Sequence, residues 1–421
     1  MLKLAHFRFG LLPGARHVSP EVRRMGVAEF LSGLGSTGST LALYFVAFSS
    51  QGSATDAAYV SAAYMVLYML ASFVSPAVSA RFDHRRVVVV QVVLKTLIFI
   101  LPWVLSLLGD LTVGSIILVM GLTGLVSGAT QPAYYEVLQD LSPKGGVTAA
   151  NAFIGSRYSA AAVIGAIVGG AVLAAMGPTW LLFANVLSYL PLLWVLLRLP
   201  ARAAGTRSGE PRSHMAAALA DLFRTRVLRL GILLDLAVVA LSIPTALLTK
   251  LANGVGTSAA YYGIVSAASG FGMVLTMPLL ARLNARRQRP GVVVGAIVVL
   301  ALGLLLTGVV GATGQQGVSG ALLLSLAVCL AFLGSFAAGD KLLAVVQVSA
   351  PAAERTVAIA AITFLAMAAA TVTTLAEGAL ADVLPVWWIQ LVAGAMALTL
   401  ALVGVVAVRR GWLPTSHASP A

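Results

Sequence analysis

Twelve apolar runs, each close to the roughly 20 residues that an α-helix needs to cross hydrocarbon, dominate the chain. They fall at 25–48, 57–80, 87–108, 114–138, 148–176, 180–197, 227–250, 259–281, 292–310, 320–347, 356–381 and 386–408. A bilayer core offers no water to backbone N–H and C=O groups, so segments of this length satisfy those groups as helices. The chain therefore reads as an all-α membrane protein. Composition agrees, because 10% of its 421 residues are charged, against about 25% in a soluble domain. The first run lacks a small-residue cleavage site after a short apolar core and reads as a span, not a signal peptide.

The formal net charge of +13 raises the question of nucleic acid, and the placement of the charges answers it. Of the 27 basic residues, 23 lie on alternate loops: before the first run, after the second, fourth, eighth and tenth, around the middle linker, and after the last. The intervening loops receive Lys250, while Lys95, Arg157 and Lys341 lie inside runs. Arginine and lysine collect on the cytoplasmic side of membrane proteins. The count thus predicts twelve spans, both termini in the cytoplasm and contact with membrane lipids, with no nucleic-acid partner. The one cysteine, Cys329, excludes a disulfide framework. The absence of GxxxxGK[ST], HExxH and GxSxG patterns argues against nucleotide-driven or hydrolytic chemistry, and no cofactor is expected.

Residues 198–226 form the long polar linker and divide the spans six and six. The expected organisation is a tail at 1–24, a six-helix bundle at 25–197, the linker, a second bundle at 227–408 and a tail at 409–421. The halves repeat. A shift of 208 pairs Ser127 with Ser335, Gln139 with Gln347, Pro143 with Pro351, Thr148 with Thr356 and Gly170 with Gly378. A shift of 201 pairs Arg81, Arg85 and Arg86 with Arg282, Arg286 and Arg287, in the same loop of each half. Parallel six-helix repeats place a binding site near the midplane between them, and rocking gives alternating access.

These features resemble the major facilitator superfamily over about 23–410, and more narrowly its bacterial macrolide-efflux and enterobactin-exporter branch. The resemblance rests on Gln131-Pro132-Ala133, on Gln139 and Pro143 at the end of the fourth span, on Val346-Gln347 ahead of Pro351, and on the loop after the second span. That loop is similar to the family's G-x-x-x-D-R-x-x-R-R latch. Arg81, Arg85 and Arg86 are retained, Pro76 and Ala80 stand for its glycine and aspartate, and Asp83 is a substitute acid three residues later. The latch implied by the resemblance is therefore weakened, which favours a resting state open to the cytoplasm. Gly165, Gly169 and Gly170 are similar to the antiporter motif, with Ala166 in the place of its proline.

A charge at bilayer depth costs about 2.5–3.5 kcal/mol on insertion scales, so each intramembrane acid is a functional candidate. Glu29 and Asp235 sit at matching depths in the first and seventh spans, which line the central cavity in the resembled family. A carboxylate there can take up and release a proton as access alternates. Asp340 and Lys341 are adjacent in the tenth span and point about 100 degrees apart, so one of them faces the cavity; Asp340 is a third candidate for proton or substrate. Glu136 and Arg157 read as an internal ion pair, Lys95 as snorkelling to the cytoplasmic interface, and Glu377 as wet near the outer end of its span. Tyr64 and Tyr68 share a helix face and are cavity candidates, with packing as the alternative. Tyr134, Tyr135, Tyr261 and Tyr262 read as interface-belt residues, and Gly26, Gly33, Gly35 and Gly38 as helix contacts.

The resemblance and the sparse cavity charge together imply a monomeric secondary transporter in a bacterial cell membrane. It would export a hydrophobic or amphipathic organic molecule (drug, natural product or siderophore) in exchange for protons. The rivals are a lipid or lysolipid flippase of the same fold and a non-transporting sensor or scaffold. A membrane enzyme is disfavoured, because all five histidines lie in loops or tails.

Overall fold

A computed structural model of the protein describes residues 18–142, 147–199, 226–284, 291–349 and 355–410. Most of the expected tails and of the linker, the repeat partners Pro143, Pro351, Arg286 and Arg287, and the side chains of Ala80, Arg282 and Gln347 lie outside what it describes. Among the described residues every regular element is a helix: α1 Pro20–Gln51, α2 Ala54–Ser72, α3 Ser75–Arg81, α4 His84–Leu108, α5 Val113–Leu141, α6 Val147–Met176 and α7 Pro178–Arg198 in the first half. The second half holds α8 Arg226–Leu241, α9 Thr245–Val255, α10 Ala259–Asn284, α11 Gly291–Thr313, α12 Gly317–Ser349, α13 Arg355–Val383 and α14 Val386–Arg409.

Twelve segments are long and apolar enough to cross a membrane, and they match the twelve runs of the sequence. Two spans depart from a continuous helix. The second closes at Ser72 and resumes as α3, with Pro76 in the first turn. Proline has no N–H to give and its ring crowds the carbonyl four residues back. The turn is held instead by bonds from the Phe73 and Val74 N–H groups to the carbonyls three residues back, of Leu70 and Ala71, at 3.3 and 3.0 Å. The seventh span is broken between α8 and α9, where Pro244 caps the new helix in an extended conformation. Ser242 covers the break by bonding the Val238 carbonyl and, at 2.5 Å, the Ser335 hydroxyl of α12.

Lipid tails supply no hydrophobic drive for helix association, so spans join where small residues let backbones touch. In the first half α1 packs on α6 and α7, α2 on α5, and α4 on α5 and α7. A Cβ at Gly124 or Gly128 of α5 would meet the backbone carbonyl of Tyr64 or Tyr68 on α2. In the second half α11 packs on α12 and α14, and α10 on α12. The halves meet mainly along α6 against α10 and α2 against α13. Leucines such as Leu97, Leu118, Leu322 and Leu402 stay outside the bundle and form its lipid-facing surface.

Inserting a side chain at the α2–α5 contact is expected to separate the two helices. Gly124→Val should cost at least about 1–3 kcal/mol, the usual penalty of overpacking, and lower the thermal unfolding midpoint in detergent. Gly155→Ala, whose new methyl meets nothing within 4 Å, should leave that midpoint unchanged.

Candidate functional site: a hydroxyl-lined cavity between the halves

A cavity of about 210 Å³ lies between α1 and α6 of the first half and α9 and α10 of the second. Its position follows from the two halves touching along α6–α10 and α2–α13 while α1 and α9 stand back. The break at Pro244 starts α9 at the wall, so that Thr245 and Leu248 face inward. Nine of the fifteen lining side chains carry hydroxyls, among them Ser36, Thr37, Thr40, Tyr44, Tyr158 and Tyr262, and none is charged. The lining positions on α1 run 33, 36, 37, 40, 41 and 44, and those on α6 run 158, 162 and 166. Each is a stripe along one helix face.

The end of the cavity away from the termini is roofed by aromatic rings. Tyr44 and Tyr262 are 5% and 2% exposed, and Tyr262 stacks on Phe45 across the two halves, with centroids 6.4 Å apart. This corrects the interface-belt reading of Tyr262: the ring is internal because α10 presses on α6 through Gly170 and Gly263. A Cβ on Gly170 would stand 2.5 Å from the Cα of Gly263. Gly169 faces α1 instead, where its Cβ would stand 2.9 Å from the Cα of Gly38, and Gly165 faces Leu34 and Thr37 of the same helix. The antiporter-like glycines thus hold α6 close to α1 on one side and to α10 on the other.

Glu29 lies one turn below Gly33 on α1, toward the termini. Its carboxylate is within hydrogen-bond reach of the Tyr134 hydroxyl and in the field of Lys95. Lys95 is only partly exposed, with Glu29 as its electrostatic partner. The snorkelling and belt readings of Lys95 and Tyr134 therefore give way to a half-buried polar group shared among α1, α4 and α5. Tyr158, which lines the cavity, also feels the charge of Glu29. Above this group the Ser36 hydroxyl contacts Tyr189 at 3.1 Å and donates to Asn185 at 3.4 Å. Asn185 is fully buried and keeps one amide nitrogen unpaired.

The other sequence candidates sit outside the cavity wall. Asp235, 9% exposed, lies on α8 with an oxygen 3.7 Å from where a Cβ on Gly339 of α12 would be. Asp340 and Lys341 lie in each other's field on α12, away from the lining. Tyr64 and Tyr68 stack on one another, centroids 6.0 Å apart, and Tyr64 reaches Ser127; packing between α2 and α5 accounts for both. Glu136 is partly buried on α5, and Arg157 lies 4.8 Å from the Phe153 ring centre. Glu377 is not wet as its position suggested, since it is 9% exposed and one carboxylate oxygen is buried without a partner.

In the loop resembling the family latch, Asp83 caps α4 by accepting the Arg86 N–H at 2.9 Å. Arg85 donates to the Leu196 and Leu197 carbonyls at the end of α7, at 2.7 and 2.5 Å. Arg81 and Arg86 are exposed. Asp83 thus acts here as a helix cap within its own half, one carboxylate oxygen turned back onto the helix it begins.

Among solved structures, the fold is similar to the nucleoside transporter NupG at 13% identity, covering 92% of this chain and 98% of that one with a TM-score of 0.71. It is likewise similar to a D-xylose–proton symporter at 14% identity, covering 91% and 97% with a TM-score of 0.70. A bacterial homologue of the iron transporter ferroportin in an inward-facing state matches at 15% identity, covering 91% and 98% with a TM-score of 0.69. A search of curated protein sequences finds no match. The family model for the Major Facilitator Superfamily matches residues 25–372, and with twelve spans in two halves around a central cavity, this chain belongs to that superfamily of membrane transporters.

Proposed function

We propose that the protein exports an amphipathic organic molecule in exchange for protons, and that this molecule is small and uncharged. The observation that carries the reading is the wall of the cavity: nine hydroxyls, apolar faces at Leu41, Leu248 and the alanines, and no ionised side chain. A charged ligand would lie there without a counter-charge, at a cost of several kcal/mol. A neutral one with hydroxyl, carbonyl or ether groups finds partners on every side. The volume of about 210 Å³ is below the roughly 300–1,000 Å³ of sites for drug-sized ligands, so a small natural product fits better than a macrocycle.

Glu29 is the proton carrier in this reading. It stands on the same face of α1 as Gly33 and Thr37 and feels the cavity through Tyr158. When ionised it balances Lys95; when protonated it leaves Lys95 without a counter-charge, so the two states favour different arrangements of α1 against α4 and α5. A ligand or proton shifts such an equilibrium only through unequal affinity for the two states.

Purified protein in liposomes with an imposed pH gradient tests the reading against a panel of small neutral compounds, charged analogues and lysolipids. Gradient-driven movement of a neutral compound is expected, and Thr40→Trp, which puts an indole into the cavity, should abolish it. Movement of lysolipids that ignores the gradient would instead identify a flippase. Glu29→Gln should remove gradient-driven transport and leave exchange of substrate for substrate. Lys95→Met alone should lower the thermal unfolding midpoint by leaving the half-buried Glu29 carboxylate without its neighbouring positive charge. Combining it with Glu29→Gln should recover most of that loss in thermal unfolding, and no recovery would remove the pairing.

A further inference from the structure

We propose that Asp382 is a latch between the halves at the end of the bundle opposite the termini, and that its release is a step of the transport cycle. The Asp382 carboxylate stands in the last turn of α13 and reaches across to the start of α2. One oxygen accepts the Ala54 N–H at 2.7 Å; the other accepts the Thr55 N–H at 3.0 Å and the hydroxyls of Ser53 and Thr55 at 2.8 and 2.7 Å. Ser53 is the N-cap of α2, and its hydroxyl also accepts the Asp56 N–H. The cap of a first-half helix is thus completed by a second-half side chain.

Nothing in α13 itself accounts for an acid at this position. A carboxylate near a helix C-terminus meets the negative end of the dipole and is unfavourable, whereas at a helix N-terminus it is stabilised. Asp382 is disfavoured by its own helix and favoured by the other half's. Lys250 of α9 completes the arrangement, 3.2 Å from Asp382 and donating to the Ala381 carbonyl. It is the only basic residue that the alternating loops leave on this side of the chain, and it holds the carboxylate toward α2. One turn below, Gly378 lies flush on α2, where a Cβ would come 2.5 Å from that of Ala58.

The contact is built to open. Lys250 and Asp382 side chains retain 24% and 28% exposure, so water can replace each bond as the halves part. These bonds join or orient α13 and α2 at the same end of the bundle as the roof of Tyr44, Phe45 and Tyr262 on α1 and α10, so they hold the halves together on the side where that roof closes the cavity. Losing them is expected to shift the ratio of closed to open forms at this end by on the order of tenfold.

Spin labels at Ser50 and Gln316, exposed sites of the two halves at this end, report the equilibrium in a Cys329→Ser background, with no substrate present. Asp382→Ala should move the distance distribution toward longer values, Asp382→Asn and Thr55→Val should move it less, and Lys250→Met should follow the same direction. Asp110→Asn, an exposed acid at the same end, should leave it unchanged. An Asp382→Ala protein that unfolds at lower temperature but keeps the original distances would overturn the latch and leave a purely structural cap. Should Asp382→Ala not be recovered from the membrane, the isosteric Asp382→Asn and Thr55→Val decide the matter alone, and unchanged distances in both would overturn it too. Because the readout requires no ligand, failure of the proposed transport activity would leave this result standing.

Discussion

Hydrocarbon cannot hydrogen-bond, and it is as apolar as the side chains facing it. The first fact makes each span a helix. The second removes the usual reason for helices to adhere, so shape must supply it. In this protein shape means glycine. Gly124 and Gly128 bring α5 onto the backbone of α2, Gly303 and Gly334 do the same between α11 and α12, and Gly170 meets Gly263 where the halves touch. The cavity exists because these contacts are tight in some places and absent in others.

Polar groups inside this frame follow one of two rules. Most hydroxyls bond to a carbonyl one turn back, as Thr123, Ser127 and Thr130 do along α5 at 2.7 Å each. Such a group costs little in lipid and carries no specificity. The others converge. Ser36, Asn185 and Tyr189 bond among themselves, and Glu29, Lys95 and Tyr134 share a field. Both groups sit in the first half and touch α1, so α1 borders both the cavity and the half-buried charges. The second half offers Asp235 and Glu377, each buried against its neighbours and outside the cavity wall.

The sequence is explicit about the fold because hydropathy, the period of the spans and the arginine asymmetry are long-range signals repeated twelve times. The glycine pair at the 208-residue shift was legible too. Gly170 and Gly378 are both cross-half contacts, one on α10 and the other on α2, so the repeat encodes how the halves meet. The site was harder to read. Reading acids as functional drew attention to intramembrane charge and away from the wall, whose serines and threonines are indistinguishable in sequence from back-bonded ones. A stripe was there to find, since Ser36, Thr40 and Tyr44 recur every four residues on α1. What the sequence does not display is which face of α1 is turned from lipid. Lys95 was misplaced for the same reason, because its partner Glu29 lies 66 positions away.

The two ends of the bundle solve one problem differently. Each must let the halves separate and rejoin, and each uses a carboxylate at a helix N-terminus. At the end bearing the termini, Asp83 caps the helix that it begins, and Arg85 binds the carbonyls that end α7, so both bonds stay within one half. At the other end Asp382 caps a helix of the opposite half. A cap within a half is indifferent to rocking, whereas a cap between halves is made in one state and lost in the other. The same chemical element therefore contributes stability at one end and conformational bias at the other. The departure of Ala80 from the family's latch pattern works in the same direction, for a bond made at the far end and an acid missing at the near one both weight the balance toward the form closed at the far end.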